Sequence, residues 1–184
     1  MNREFFFSFV RAQLFGGKLK PSQFNGLTEI LDYWDARLAA KDDRWLAYAL
    51  GTAYHETDKT FGPIREYGRG KGKAYGVPTG PHGHVYYGRG LVQLTWKDNY
   101  QKMSAKLGAD MVADPDLALK LSNAVPVMFL GMEQGSFTGV GFGRYFNATK
   151  GDWVNARRII NGTDKANIIA DEAKMFYAAI SHTV

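Results

Sequence analysis

Apolar residues recur at helical spacing along the first third of the chain and predict amphipathic helices. The phenylalanine-rich segment of residues 1–15 predicts the first of them. After a glycine pair at 16–17, Ser22 is a candidate N-cap for a second helix. Its apolar positions lie three and four residues apart and are Phe24, Leu27, Leu31, Trp34 and Leu38. Both patterns are typical of helices that bury one face.

The third helix carries the first residue with candidate chemistry. Asp42 and Asp43 supply a cap and favourable charge for its first turn. Glu56 follows Ala49 and Ala53 at helical steps, which places its carboxyl at the rim of the apolar stripe. Burial of that kind disfavours the charged form of a carboxyl.

Residues 62–90 are rich in glycine and proline and predict a long loop with a short hairpin. A loop of this length inside a domain is usually functional. It contains Glu66, which lies in a cluster of cations that favours the ionised form of a carboxyl. The cations are Arg65, Arg69, Lys71 and Lys73.

Two carboxyl groups in such different settings are the arrangement that glycoside hydrolysis needs. One gives a proton to the leaving oxygen, and the other acts as a base or a nucleophile. Taken alone, a glutamate such as Glu56 at a helix end is more often solvated, and one such as Glu66 among arginines is more often a surface ion pair. Asp58 is close enough in sequence to compete for the second role.

The rest of the chain predicts more helices and no second domain. The segments that predict them are 91–100, which begins with a short extended piece, 114–116, 122–132, a stretch after Asp152, and 170–180. Repeats, low-complexity tracts and interdomain linkers are absent from the sequence. We therefore expect residues 1–184 to form a single, mainly α domain.

Composition and charge narrow the possible functions. The 184 residues include no cysteine, which excludes disulfides, CxxC redox pairs and thiolate zinc sites. A formal charge of +5 and a pI near 9.3 indicate attraction to polyanions such as nucleic acid, anionic lipid and the bacterial cell wall. The first helix has a short apolar run and no small-residue cleavage site, so we expect neither a signal peptide nor membrane insertion.

Three motifs, in this order, resemble the family 19 glycoside hydrolases, which include chitinases and bacteriophage lysozyme-like endolysins. The motifs are HET at 55–57, YYGRGLVQLTWKDNY at 86–100 and IING at 159–162. The middle motif matches the family pattern at every defined position. The resemblance implies a lysozyme-like helical domain with a Gly-rich active-site loop and amino-terminal helices of the phage type.

The resemblance also implies catalytic roles. It makes Glu56 the general acid and Glu66 the general base of an inverting reaction, with Thr95 holding the water that attacks. The two glutamates lie ten residues apart here, whereas phage-type members usually have nine, so Asp58 stays an alternative for the second acid.

Further residues are expected to bind substrate by the same resemblance or by their chemistry. They are Gln93, Asn99, Asn161, Tyr87, Trp96 and Arg89. Amides suit N-acetyl groups and sugar hydroxyls, and aromatic faces can stack on sugar rings, although such aromatics are more often core. The arginine that plant-type chitinases carry after the IING motif has no match here, so an ion-pair network around the acids is expected to use Arg89 or Arg65.

Other chemistries fit the chain less well. Lys59 stands four residues after His55, where a zinc protease would have a second histidine. The run GRGKGKA at 68–74 lacks the Walker spacing. His82 and His84 have no acidic partner at ligand spacing, so we expect neither a metal nor any other cofactor. A non-enzymatic basic module that binds nucleic acid or another polyanion stays an alternative.

We therefore expect a phage or prophage endolysin that cleaves the β-1,4 bonds of bacterial peptidoglycan as an inverting N-acetylmuramidase. The small size, the absence of cysteine and the positive charge favour peptidoglycan over chitin, and a chitinase acting on N-acetylglucosamine polymers is the alternative. Such an endolysin is expected to be a monomer that binds no nucleic acid. It would accumulate in the host cytoplasm and depend on a separate pore-forming protein to reach the wall.

Overall fold

Six α-helices form most of the regular structure of residues 1–182, the part of the chain that the computed structural model describes. They are α1 Arg3–Gln13, α2 Pro21–Arg37, α3 Asp43–Glu56, α4 Lys97–Leu107, α5 Leu121–Gln134 and α6 Ala166–Ile180. The predicted mainly helical fold is confirmed, and the last two residues of the predicted 1–184 domain lie outside the described part. No helix within 1–182 is long and apolar enough to cross a bilayer.

Two short hairpin-like pairings and four 3-10 turns complete the fold. Strand β1, Ile64–Arg65, pairs antiparallel with β2, Arg89–Gly90, and β3, Phe146–Asn147, pairs antiparallel with β4, Lys150–Gly151. The turns are Ala74–Gly76, Pro115–Leu119, Phe142–Arg144 and Asn155–Ile159. The first pairing joins the two ends of the predicted long loop, so the loop is closed at its base.

The cap predicted for α3 is present, and the one predicted for α2 is not. Asp42 Oδ1 accepts the backbone N–H of Arg44 at 3.0 Å. Helix α2 begins at Pro21, before Ser22, and the Gln23 side chain accepts the N–H of Lys20 at 2.8 Å. Proline at the first helical position has a backbone angle that already suits the helix and needs no N–H partner, so the helix begins one residue earlier than predicted.

The predicted helix after Asp152 is only a 3-10 turn. Asp152 Oδ1 accepts the N–H of Asn155 at 3.1 Å, but the turn ends at Ile159. The following helix, α6, begins at Ala166 rather than near residue 170, and it is preceded by Lys165 in a left-handed conformation (φ +57°). The chain between the two is therefore irregular.

Helix α3 lies at the centre of the core and packs mainly against α6. Its buried side chains include Leu46, Tyr48 and Leu50, all fully shielded from solvent. The two helices approach closely because Gly51 has no side chain: a Cβ there would lie 2.8 Å from the Cα of Ala173. This close approach places the carboxyl end of α3 beside the irregular segment that precedes α6.

We predict that Gly51→Ala destabilises the protein. Overpacking of a core contact costs about 1–3 kcal/mol, which exceeds the roughly 1 kcal/mol that alanine gains over glycine as a helix former. Urea denaturation measures the free energy of unfolding. The matched control is Gly143→Ala, where no atom lies within 4 Å of the new Cβ, and its effect is expected within about 0.5 kcal/mol. Equal stabilities for the two variants would contradict this account of α3–α6 packing.

Candidate active site

A cleft of about 1060 Å³ contains most of the residues with predicted chemistry. Three parts of the chain line it. Glu56 comes from the end of α3. The lining residues between 66 and 99 form what we call the loop side, and those between 137 and 162 form what we call the arginine side.

Glu56 is held by a buried ion pair. Arg157 Nη1 donates to Glu56 Oε1 at 2.6 Å, and the two side chains are only 6% and 16% exposed. Arg157 Nε also donates to the carbonyl of Asp164 at 3.1 Å, which orients the guanidinium. The expectation that an ion-pair network around the acids uses Arg89 or Arg65 is corrected: the partner of Glu56 is Arg157, from the 3-10 turn before α6.

Glu66 is held by different groups. The Tyr75 hydroxyl donates to Glu66 Oε1 at 3.0 Å, and the N–H of Gly88 donates to Oε2 at 3.1 Å. The N–H of Glu66 donates in turn to the Gly88 carbonyl at 2.7 Å. Burial and the hydrogen bond to Glu66 raise the pKa of Tyr75, so this donor keeps its proton at neutral pH.

The alternative acid, Asp58, does not line the cleft. It is exposed in the turn after α3, with a left-handed backbone (φ +50°). Glu66, which is partly buried, is the second carboxylate in the cleft lining.

Gln93, Thr95 and Asn99 line the loop side as a linked set. Thr95 Oγ1 donates to the Gln93 carbonyl at 2.7 Å, and Asn99 Nδ2 donates to the Thr95 carbonyl at 3.0 Å. Trp96, which is 50% exposed, also lines the cleft. Gln93 and Trp96 have left-handed backbones (φ +54° and +72°), which non-glycine residues adopt at a cost of about 1–3 kcal/mol each. The strained turn thus places the side chains of Gln93 and Trp96 in the lining of the same cleft.

Tyr87 and Arg89, which were expected to bind substrate, lie outside the cleft lining. They are only 8% and 6% exposed, and the guanidinium stacks 3.6 Å from the centre of the Tyr87 ring. Arg89 donates to Asp116 Oδ1 at 2.8 Å and to the Tyr100 hydroxyl at 3.1 Å. Arg65 donates to the other oxygen of Asp116 at 2.6 Å. These contacts occupy the guanidinium of Arg89 inside the protein, so Arg89 stabilises the loop and does not face the cleft.

The arginine side adds residues that the sequence patterns did not indicate, apart from Asn161. Asn161 lines the cleft and its Oδ1 accepts the N–H of Gly162 at 2.9 Å. The additional lining residues are Phe137, Thr138, Val140, Arg144, Tyr145, Arg158 and Ile160. Apart from Ile160, which belongs to the IING motif, they lie in segments without a recognisable motif, and the fold brings them into the cleft that Glu56 also lines.

His55, His82 and His84 do not line the cleft. His55 Nδ1 lies 3.5 Å from Glu172 Oε2 on α6, and burial raises the pKa of Glu172. His82 and His84 stack with ring centres 5.7 Å apart, and His84 contacts the carbonyl of Ala113 at 2.8 Å. Residues 1–182 contain no group of three or more histidines, cysteines or acids placed to hold a metal ion.

Comparison with known proteins identifies similar sequences. Residues 45–131 match the sequence model of glycoside hydrolase family 19, described as chitinase class I. An endochitinase of Arabidopsis thaliana is 29% identical over 130 residues, which are 68% of this chain and 45% of that protein. The chain thus spans less than half the length of this relative. The segment matched by the family includes Glu56 and the loop side, and it excludes the arginine side.

Solved structures share the fold over nearly the whole chain. Chitinase C from Streptomyces griseus matches with a TM-score of 0.66 at 23% identity, over 96% of this chain and 76% of that one. A bacterial family 19 chitinase matches with a TM-score of 0.60 at 22% identity, over 96% and 94% of the two chains. At these identities the likeness concerns the fold.

The Glu56–Arg157 pair is predicted to contribute to stability. Breaking a buried pair leaves an uncompensated charge, so Arg157→Met should lower the free energy of unfolding by about 3 kcal/mol. In a double-mutant cycle with Glu56→Gln, urea denaturation should give a coupling energy of at least about 1 kcal/mol. Arg11→Gln, at an exposed arginine on α1, is the control and should change little. Additive single effects would show that the two side chains are independent.

The Asp116 network is predicted to make stability depend on pH. Partial burial opposes ionisation of Asp116, but hydrogen bonds from Arg65 and Arg89 outweigh it and lower its pKa below the ordinary 3.8. The stabilisation is therefore full above about pH 4 and is lost as pH falls through the lower folded-state pKa. Asp116→Asn should melt below the wild type at pH 7, and the difference should shrink below pH 4. A pH-independent difference in melting temperature would contradict the assignment.

Proposed function

Because the chain is a relative of the family 19 glycoside hydrolases in sequence and fold, we propose that it hydrolyses β-1,4 bonds of N-acetylhexosamine polymers. The observation that carries this proposal is the pair of glutamates, Glu56 and Glu66, that line one cleft and are held by different partners. Acid–base glycoside hydrolysis needs two carboxyl groups with separate roles.

Glu56 is the proposed general acid. Arg157 contacts only Oε1, and within residues 1–182 no hydrogen bond to Oε2 is found. In the protonated carboxyl, Oε2 would carry the proton that is transferred to the leaving glycosidic oxygen. The ion pair fixes the position of the carboxyl group, and precise positioning is a large part of catalysis. Arg157 would act through Glu56 without contacting the bond that breaks.

Glu66 is the proposed general base, with Thr95 as the residue that orients the attacking water. Donors from Tyr75 and Gly88 hold the Glu66 carboxylate in place. The Thr95 hydroxyl gives its proton to the Gln93 carbonyl, so its oxygen lone pairs are free to accept a hydrogen bond from water. Attack by that water on the face opposite the leaving group inverts the anomeric centre.

Chitin is the first candidate substrate. The relatives found by sequence and by structure are named chitinases, and the segment that matches the family model includes the loop side. Gln93 and Asn99 offer amide donors and acceptors for N-acetyl groups, and the exposed face of Trp96 can stack on a sugar ring. A neutral sugar polymer requires no charged group in the cleft beyond the two acids and the arginine that holds one of them.

Bacterial peptidoglycan is the second candidate, and one observation favours it. Arg144 and Arg158 line the cleft and are exposed, and the chain has a net charge of +5. For peptidoglycan as substrate, the biological role that we propose is that of an endolysin that cleaves the glycan strands of the host wall. A separate pore-forming protein would give the endolysin access to the wall. If no glycan is cleaved, the alternative is a basic module that binds polyanions without catalysis.

We predict that Glu56→Gln and Glu66→Gln each abolish cleavage of N-acetylglucosamine hexamer, by a factor of about 10² or more, because each removes one proton-transfer group. Asp58→Asn, at the exposed acid outside the cleft, is the control and should keep wild-type activity. Proton NMR of the first products should show the α-anomer from the β-linked substrate. An active Glu66→Gln variant with an inactive Asp58→Asn variant would transfer the second role to Asp58.

A further inference from the structure

We propose that Arg144 and Arg158 form a carboxylate-binding subsite on the arginine side of the cleft. The subsite would make a glycan with acidic substituents a better substrate than neutral chitin. This inference rests on the proposed hydrolysis of N-acetylhexosamine polymers and adds to it the chemical class of the preferred substrate.

The charges of the cleft support this proposal. The charged residues in the lining are Glu56, Glu66, Arg144 and Arg158. The charge of Glu56 is compensated by Arg157, which leaves Glu66 opposed by two cations. Among residues 1–182 neither Arg144 nor Arg158 takes part in a salt bridge, whereas five other arginines of the chain do. Counted together with Arg157, which lies outside the lining, the cleft has three arginines against two glutamates, and the two of these arginines that form no salt bridge within 1–182 are those in the lining.

The backbone that carries both arginines is fixed by hydrogen bonds. Thr138 Oγ1 donates to the Arg158 carbonyl at 2.6 Å, which ties the segment after α5 to the turn before α6. The N–H of Arg144 donates to the Gly141 carbonyl at 3.1 Å, and the N–H of Asp152 donates to the Tyr145 carbonyl at 2.9 Å. The two guanidinium groups thus extend from anchored positions, which lowers the entropy that binding would cost.

The chemistry of arginine indicates the ligand. Hydroxyl and acetamido groups of chitin are neutral, and the amides of the loop side already suit them. A guanidinium instead matches a carboxylate with two parallel hydrogen bonds. Peptide-free glycan strands in which alternate sugars carry a lactyl ether present one carboxylate every second residue. An attached peptide converts that carboxylate to an amide and presents the carboxylates of its own residues in its place. The shared chemistry is a carboxylate beside a β-1,4 N-acetylhexosamine chain.

The decisive comparison uses one glycan in two charge states. Peptide-free peptidoglycan strands with free lactyl carboxylates are compared with the same strands after conversion of the carboxylates to methylamides. Strands that retain their peptides form a third arm, which distinguishes lactyl carboxylates from peptide carboxylates as the ligand. The variants are Arg144→Gln, Arg158→Gln and the double variant. Arg11→Gln removes an equal charge from an exposed position on α1 and controls for long-range attraction.

Each substitution should lower kcat/KM on the free-acid strands by about fivefold, the equivalent of about 1 kcal/mol for a partly exposed ion pair. On the methylamide strands and on N-acetylglucosamine hexamer the change should stay within about twofold, as for Arg11→Gln. If only the peptide-bearing strands respond, the ligand is a peptide carboxylate. Equal losses on charged and neutral strands, or no loss on any acidic strand, would overturn the subsite.

Binding provides a measurement that does not depend on hydrolysis. Titration calorimetry of Glu56→Gln protein with free-acid strands should show weaker binding when Arg144 or Arg158 is also replaced. Unchanged binding would overturn the subsite even if the enzyme cleaves glycans. Conversely, the wild-type protein could cleave no glycan while replacement of Arg144 or Arg158 still weakens the binding of acidic strands. That result would reject the proposed hydrolysis and retain the carboxylate site.

Discussion

The ion pair between Arg157 and Glu56 is the contact on which the site depends. It joins residues 101 positions apart in sequence, at 2.6 Å, and both side chains are largely buried. Glu56 ends a helix whose residues 46–54 are all buried, so its carboxyl has little freedom once α3 is packed. A buried carboxylate without a partner would be costly, and Arg157 removes that cost while leaving one oxygen of Glu56 for chemistry.

The remaining architecture brings the two ends of this pair together. The close approach of α3 and α6 at Gly51 places the end of α3 beside the segment that carries Arg157. On the other side, Asp116 links Arg65 and Arg89, one from each strand of the β1–β2 pairing. That network sets the base of the long loop, and Gly88 in the same loop donates to Glu66. Core packing thus positions one glutamate and a polar network positions the other.

Local patterns in the sequence were sufficient to predict α1 to α3 and most of the loop side, but they wrongly predicted a helix after Asp152. The apolar spacing of α1 to α3, the Asp42 cap and the motif of residues 86–100 are all short-range signals. Apart from Asn161, the functional residues of the arginine side could not be predicted in this way. The same holds for Arg157, which is recognisable as a partner of Glu56 only after α3 and α6 have packed. Arg89 shows the converse: its position in a motif suggested substrate contact, but its guanidinium is satisfied inside the loop.

A crystal structure of the Glu56→Gln protein with N-acetylglucosamine hexamer tests the central claim most directly, because it locates the bond between the two carboxyl positions. The account predicts a glycosidic oxygen within hydrogen-bond distance of the side chain at position 56. It also predicts, on the opposite sugar face, a water bound by Glu66 and Thr95. A sugar chain bound in this cleft with no such water, or with its glycosidic oxygens remote from position 56, would contradict it.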